Sequence, residues 1–166
     1  MPVVVLIGMP GAGKSTLGAA LAARRGLSFV DTDALIEQRE KQSLQEIVNQ
    51  RGYLQLREIE ERILLSLDCH NDVVAAGGSA VYSAKAMAHL AQLGTIVYLQ
   101  VSLETLQQRI DNYESRGLAR SPGQSLADLY AERSPLYARY ATTIINCDGE
   151  TIDALLGMLD PLIDAS

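Results

Sequence analysis

Gly8-Met9-Pro10-Gly11-Ala12-Gly13-Lys14-Ser15 fits the pattern GxxxxGK[ST] at every fixed position. The chemistry that such a run supports is phosphate capture. Glycines let successive backbone N–H groups turn inward around phosphate oxygens, and the helix that follows adds the positive end of its dipole. Lys14 is placed to reach β- and γ-phosphates, and the Ser15 hydroxyl to meet Mg²⁺. A strand-forming run precedes the motif and a helix-forming run follows it, which is the context that this chemistry requires. The run implies a nucleoside triphosphate and a magnesium ion, and leaves the phosphate acceptor open.

Three further groups bear on the acceptor. Asp31-Thr32-Asp33 stands where a second short strand ends. Residues two apart on extended backbone point the same way, so both carboxylates are expected to face the crevice at the strand ends. One would hold a magnesium-bound water, and the other would orient a hydroxyl and take its proton. An N-cap for the next helix is the alternative use of an aspartate there. Arg57 lies on the polar side of a helical run, with Glu60 and Glu61 at i+3 and i+4, and by itself reads as a solvated ion pair. Gly77-Gly78-Ser79 follows a third strand, where glycines either admit a ligand close to the backbone or make a tight turn.

The elements that must carry these groups follow from hydrophobic period. Val3–Ile7 is an unbroken β-branched run, which suits a strand buried on both faces. Helix is expected over 14–25, strand over 27–30, and short helices over 34–40 and 44–51. Leu56, Ile59, Ile63, Leu64 and Leu67 then share one face of a helix over 54–67. A strand is expected over 73–76, and Ser83 caps a helix to Leu93. Thr95–Val101 is a further strand, and Ser102 caps a helix to Ile110. Residues 112–124 have no apolar period and form the one long loop, a candidate lid. Leu126–Tyr140 is helical despite Pro135, Thr142–Asn146 is a last strand, and an amphipathic helix closes the chain. Such alternation predicts a three-layer α/β fold with a parallel sheet of about five strands flanked by helices, in one domain spanning 1–166.

Composition narrows the class. The chain has 166 residues, 48% hydrophobic and 20% charged, as expected of a globular protein. Its net charge of −6 argues against a nucleic-acid footprint, which needs a basic face. No apolar run reaches membrane-spanning length, so no membrane association is expected. Cys69 and Cys147 are far apart and outside any CxxC, so a reducing cytoplasm is the expected location and neither a disulfide framework nor a zinc ribbon is visible. The short, apolar MPVVVLIG start lacks the basic region of a signal peptide. A monomer is expected, because no apolar seam stands out. His70 and His89 have no partners at ligand spacing, and Tyr130, Tyr137 and Tyr140 read as a packing stripe on one helix.

GMPGAGKST, FVDTD, LREIEERIL, VVAAGGSAVYS, TIVYLQVS and ERSPLYARYA, in that order and spacing, resemble shikimate kinase from Val3 to about Asn146. The resemblance implies a P-loop fold of the nucleoside monophosphate kinase type, with an acceptor-binding segment over about 31–62 and a lid over about 112–124. It implies ATP as co-substrate, held by Gly11, Ala12, Gly13, Lys14, Ser15 and Thr16, and Mg²⁺ held by Ser15 and, through water, by Asp31. Arg109 would pack on the adenine. Arg116 would be the lid arginine that touches nucleotide and acceptor. Asp33 would hold the acceptor hydroxyls as candidate base, with Lys14 and Arg116 beside it in catalysis. Arg57 and Arg133 would clamp the substrate carboxylate, to which a guanidinium fork is suited. Gly77, Gly78 and Ser79 would bind the substrate, the two glycines through backbone N–H groups.

Two positions depart from the family pattern. Ser79 replaces a third glycine, so that a hydroxymethyl is expected to project where the backbone is otherwise open. The lid reads Arg116-Gly117-Leu118-Ala119 where Arg-Pro-Leu-Leu is usual, which exchanges a rigid residue for a flexible one. The leading expectation is phosphoryl transfer from ATP to a hydroxyl of shikimate. The alternatives are a kinase of the same fold for a different small hydroxylated acid or alcohol, and a nucleoside monophosphate kinase or a non-catalytic nucleotide-binding module.

Overall fold

The computed structural model describes residues 2–110 and 117–165. Five parallel strands, β1 (Val3–Ile7), β2 (Ser28–Asp31), β3 (Asp72–Ala75), β4 (Thr95–Gln100) and β5 (Thr143–Asn146), form one sheet in the order β2-β3-β1-β4-β5. The central strand pairs Val3 with Asp72 on one side and Val4 with Thr95 on the other. Every residue of β1 is buried, because helices cover both faces of the sheet. Since all strands run the same way, their C-terminal ends gather at one edge. There the turns after β1, β2 and β3 bring the Gly8–Ser15 run, the aspartates and Gly77 together.

Eight helices occur among the described residues: α1 (Lys14–Arg25), α2 (Thr32–Glu40), α3 (Leu44–Arg51), α4 (Tyr53–Leu65), α5 (Ala84–Leu93), α6 (Leu103–Arg109), α7 (Leu126–Tyr140) and α8 (Ile152–Ala165). α1 and α8 pack on β1 and on each other, and α5 and α7 pack on β4. The serine caps hold: Ser83 accepts from the Ala86 N–H and Ser102 from that of Thr105. Most strand ends shift by one residue, and two helix boundaries move by two residues from the sequence expectation. α2 starts at Thr32, directly off the strand, because Asp31 caps it. α4 stops at Leu65, where Ser66 Oγ donates to the Ile63 carbonyl and closes the last turn.

The apolar interior has two parts. The larger surrounds the sheet. The smaller lies among α2, α3 and α4, where Ile36, Ile47, Leu56, Ile59 and Ile63 pack with Ala119 from the long loop. These three helices therefore have a core of their own, and the carboxyl-terminal arm of the loop inserts into it.

Candidate active site

The phosphate loop is a backbone cradle. Gly11 and Gly13 take left-handed φ angles of 83° and 95°, and Gly13 is the residue from which α1 starts. Lys14 extends back over the loop, its Nζ donating to the carbonyls of Gly8 at 2.8 Å and Met9 at 2.9 Å. These bonds hold the ammonium at the rim of a cavity of about 370 Å³, which it lines together with Ser15 and Thr16. Exposed Arg109, at the end of α6, donates to the Gly11 carbonyl at 3.1 Å, which sets its guanidinium beside the loop.

Asp31 and Asp33 do not project in parallel from extended backbone. Asp31 ends β2, and its Oδ1 accepts from the N–H groups of Asp33 and Ala34 as the cap of α2. Its Oδ2 accepts from Ser15 Oγ at 2.9 Å, which joins the strand-end carboxylate to the phosphate loop. Asp33 is left in the first turn of the helix and lines the cavity. The cap and the candidate base are thus different residues.

A buried cation also lines the cavity, whereas Arg57 lies outside it and lines a neighbouring one. Arg133, on α7, is only 1% exposed. Its Nε donates to Tyr82 Oη at 3.2 Å and its Nη2 to the Ala119 carbonyl at 3.0 Å, so the fork is locked in place. The expected ion pair of Arg57 with Glu60 or Glu61 does not form. The Arg57 guanidinium lies 3.7 Å from the centroid of the Tyr82 ring and 5.2 Å from that of Tyr53, and its buried Nε has no partner among the described residues. Glu61 instead accepts from Ser83 Oγ.

Glu60 is the residue that spacing alone undervalues. It is 4% exposed and lines the cavity. Its Oε2 accepts from Ser79 Oγ, and its Oε1 has no partner among the described residues. A Cβ built on Gly77 would overlap Glu60 Oε1 and stand 2.7 Å from Asp33 Oδ1. The two carboxylates therefore flank one small space, within about 5 Å of each other, close enough for each charge to act on the other's titration. Burial and the Asp33 charge push the Glu60 carboxyl up to about 7, against the opposing effects of the Ser79 hydroxyl, Arg133 and Lys14. A signal for this was present in the chain. Glu60 stands four residues after Leu56 and three before Ile63, inside the apolar stripe of α4, where an unpaired carboxylate is out of place.

The Gly77 N–H donates to Thr32 Oγ1 at 2.9 Å, so it is not offered to a ligand as the sequence reading expects. What Gly77 contributes is the absence of a side chain between two carboxylates. Ser79 does not project into open space: it is buried and turned onto Glu60. Tyr137 Oη donates to the Gly78 carbonyl at 2.6 Å, which fixes this turn against α7, and its ring packs on Tyr98 as the tyrosine stripe suggests. Arg116 lies outside the described residues, as does the first part of the expected lid. Cys69 and Cys147 are free and buried, and His70 is exposed. Among the described residues, no group of three His, Cys, Asp or Glu could hold a metal ion, and no helix is long and apolar enough to cross a membrane.

Known proteins share both this sequence pattern and this fold. Residues 10–159 match the sequence profile of the shikimate kinase family. The chain is 38% identical over 157 residues to a shikimate kinase of Paracidovorax citrulli, covering 91% of this chain and 86% of that one. It is 42% identical over 144 residues to a shikimate kinase of Mycobacterium avium, covering 85% and 81%. It superposes on the shikimate kinase from Acinetobacter baumannii in complex with shikimate with a TM-score of 0.88 at 31% identity, covering 99% and 94%.

Proposed function

The chain belongs to the shikimate kinase family, and from that premise we propose how its cavity works. The activity is ATP-dependent phosphoryl transfer to a hydroxyl of shikimate, giving shikimate 3-phosphate, a step of aromatic amino acid biosynthesis. The observation that carries the reading is the division of one cavity between a phosphate loop and an acceptor wall that pairs a locked arginine with carboxylates.

On the nucleotide side, the backbone of Gly11–Thr16 and the start of α1 receive the phosphates, and Lys14 swings from its loop carbonyls to the β- and γ-oxygens. Arg109 covers the base. The Ser15 hydroxyl and the Asp31 carboxylate are hard oxygen donors already in contact, which suits Mg²⁺. We assign the ion to them, directly at Ser15 and through water at Asp31. Mg²⁺ supplies neutralisation of the charge that develops on the phosphate oxygens.

On the acceptor side, Asp33 holds the reacting hydroxyl and takes its proton as the oxygen attacks phosphorus. Arg133 and Arg57 face the acceptor carboxylate, Arg133 from a fork that needs no rearrangement. Gly78 and Ser79 offer backbone N–H groups to the same ligand. On the resemblance alone, Arg116 completes the charge around the transferred group. In one domain spanning 1–166, the acceptor-binding segment is 31–62 and the lid 112–124, and closure there keeps water from competing for ATP. We place the enzyme in the cytoplasm as a monomer that binds neither nucleic acid nor membrane. Ser79 gives no support to a different hydroxy acid, because its hydroxyl is committed to Glu60.

The test is ADP release with Mg-ATP in the presence of shikimate, quinate or short hydroxy acids. Turnover specific to shikimate is the expected result, and turnover with another acid alone would overturn the assignment of the acceptor.

A further inference from the structure

A carboxyl group gripped at one oxygen turns only about its own axis, so the grip decides where the other oxygen points. Ser79 provides such a grip. It is buried, and its Oγ donates to Glu60 Oε2. Both residues line the main cavity and also a second cavity of about 190 Å³ bounded by Arg57, Glu61 and Tyr82. Glu60 Oε1, left without a partner, lies in the space beside Gly77 and Asp33.

The charges around Glu60 do not by themselves settle its form. Asp33 on α2 opposes ionisation, whereas Lys14 on α1 and Arg133 on α7 favour it. The other ionisable groups near it are Tyr137 on α7, Tyr82 at the end of the turn that follows Ser79, and Arg57, Glu58 and Glu61 on its own helix. Against burial in this mixed field, a hydroxyl that donates directly to the carboxylate stabilises the anion.

Resting on the assignment of this cavity to the acceptor, we propose that Ser79 is a positioning residue: its hydroxyl fixes Glu60 Oε2 and favours the ionised form of the carboxyl, with Oε1 turned to the acceptor hydroxyls beside Asp33. A proton on Glu60 Oε1 turns that oxygen from a strong acceptor into a donor, so it no longer receives an acceptor hydroxyl as the carboxylate does. Removing the Ser79 donor therefore makes Glu60 keep its proton to higher pH and weakens acceptor capture below that pH. A methyl group in place of the hydroxymethyl preserves most of the packing but not the grip, whereas threonine keeps the hydroxyl.

The experiment has two readouts on the full-length protein. The Glu60 midpoint is followed by side-chain ¹³C NMR without ligands in wild type, S79A, S79G and S79T, with E60Q to identify the resonance. The pH profile of kcat/KM for shikimate is measured on the same proteins. Expected for S79A and S79G is a rise in the midpoint by about one unit, with the acid limb of the profile moving in step. S79T returns both to the wild-type values. An unmoved midpoint in either hydroxyl-free variant overturns the proposal, and so does a kcat loss at every pH with the limb in place, which is the mark of a packing role. If S79A does not fold, S79G and S79T carry the comparison. A wild type that does not turn over shikimate is the failure of the acceptor assignment, and the ligand-free midpoint still decides whether Ser79 grips Glu60.

Discussion

The backbone N–H of Gly117 donates to Gln45 Oε1 at 2.6 Å, fastening the arm of the long loop that returns to α7 onto the first turn of α3. The fit is close: a Cβ on Gly117 would overlap the backbone of Leu44 and Gln45. Two residues on, Ala119 packs among the acceptor-side helices and its carbonyl receives Arg133 Nη2. The glycine that reads as a source of flexibility is buried, at a φ of 64°. Proline, locked near −65° and without an N–H, could neither adopt this backbone nor make the bond.

Gly117→Ala should therefore destabilise the fold and loosen the acceptor side. The left-handed backbone alone costs a non-glycine residue about 1–2 kcal/mol, and the overlap with α3 adds to it. The melting temperature should drop by about 2–8 °C, and KM for shikimate should rise more than KM for ATP. Gln45→Ala, which removes one hydrogen bond without any overlap, should cost about 1 kcal/mol. Thermal melts and paired kinetics check both, and an unchanged melt for Gly117→Ala would refute the close fit.

Asp33→Asn separates chemistry from nucleotide binding. The amide keeps the size of the side chain and removes the base, so kcat should fall by about 10²–10⁴-fold. ATP affinity, set by Gly11–Thr16 across the cavity, should stay within a few-fold. Single-turnover kinetics with calorimetric ATP titration tests this. Turnover that survives the substitution would remove Asp33 from the proton's path.

Much of this arrangement is local and hence legible in the chain. The phosphate loop, the serine caps and the parallel run of the strands follow from short-range spacing, and so does the placing of Lys14 and Asp33 at one sheet edge, whereas Arg133 is implied only by the family resemblance. Side-chain partners are not local. Arg57 stacks on Tyr82, 25 positions away, rather than pairing with Glu60 one turn on, and the ring that wins comes from another element. Asp31 takes the cap because the helix starts at Thr32, directly off the strand and two residues earlier than the apolar period suggests. The Gly77 N–H is spent on Thr32, which only tertiary packing brings near.

Arg133 gives a direct test of the locked fork. Lysine keeps the charge but cannot hold Tyr82 Oη and the Ala119 carbonyl at once, nor face a carboxylate with two parallel donors. Arg133→Lys should raise KM for shikimate at least about tenfold, the order expected when one charged hydrogen bond is lost, with KM for ATP little changed. Tyr82→Phe removes a single acceptor from Nε and should produce a smaller change in the same direction. An Arg133→Lys enzyme with wild-type KM for shikimate would mean that the acceptor carboxylate binds elsewhere.

The burial of Glu60 should also leave a mark on stability. Its carboxyl is raised from an ordinary 4.5 to about 7, by burial first and the Asp33 charge second. Between those two values the folded protein holds a proton on Glu60 that the unfolded chain has released. Stability from this group is therefore full at the acid end, declines as pH rises through the window, and levels off above about 7. The size of the decline is about 3 kcal/mol. Glu60→Gln carries no such proton, so its stability relative to wild type should improve by about that amount between about pH 5 and about pH 8. Urea titrations of both proteins at the two pH values measure the difference directly. Parallel changes in the two proteins would show that Glu60 ionises as readily in the fold as in the unfolded chain, and that its place beside Asp33 carries no cost.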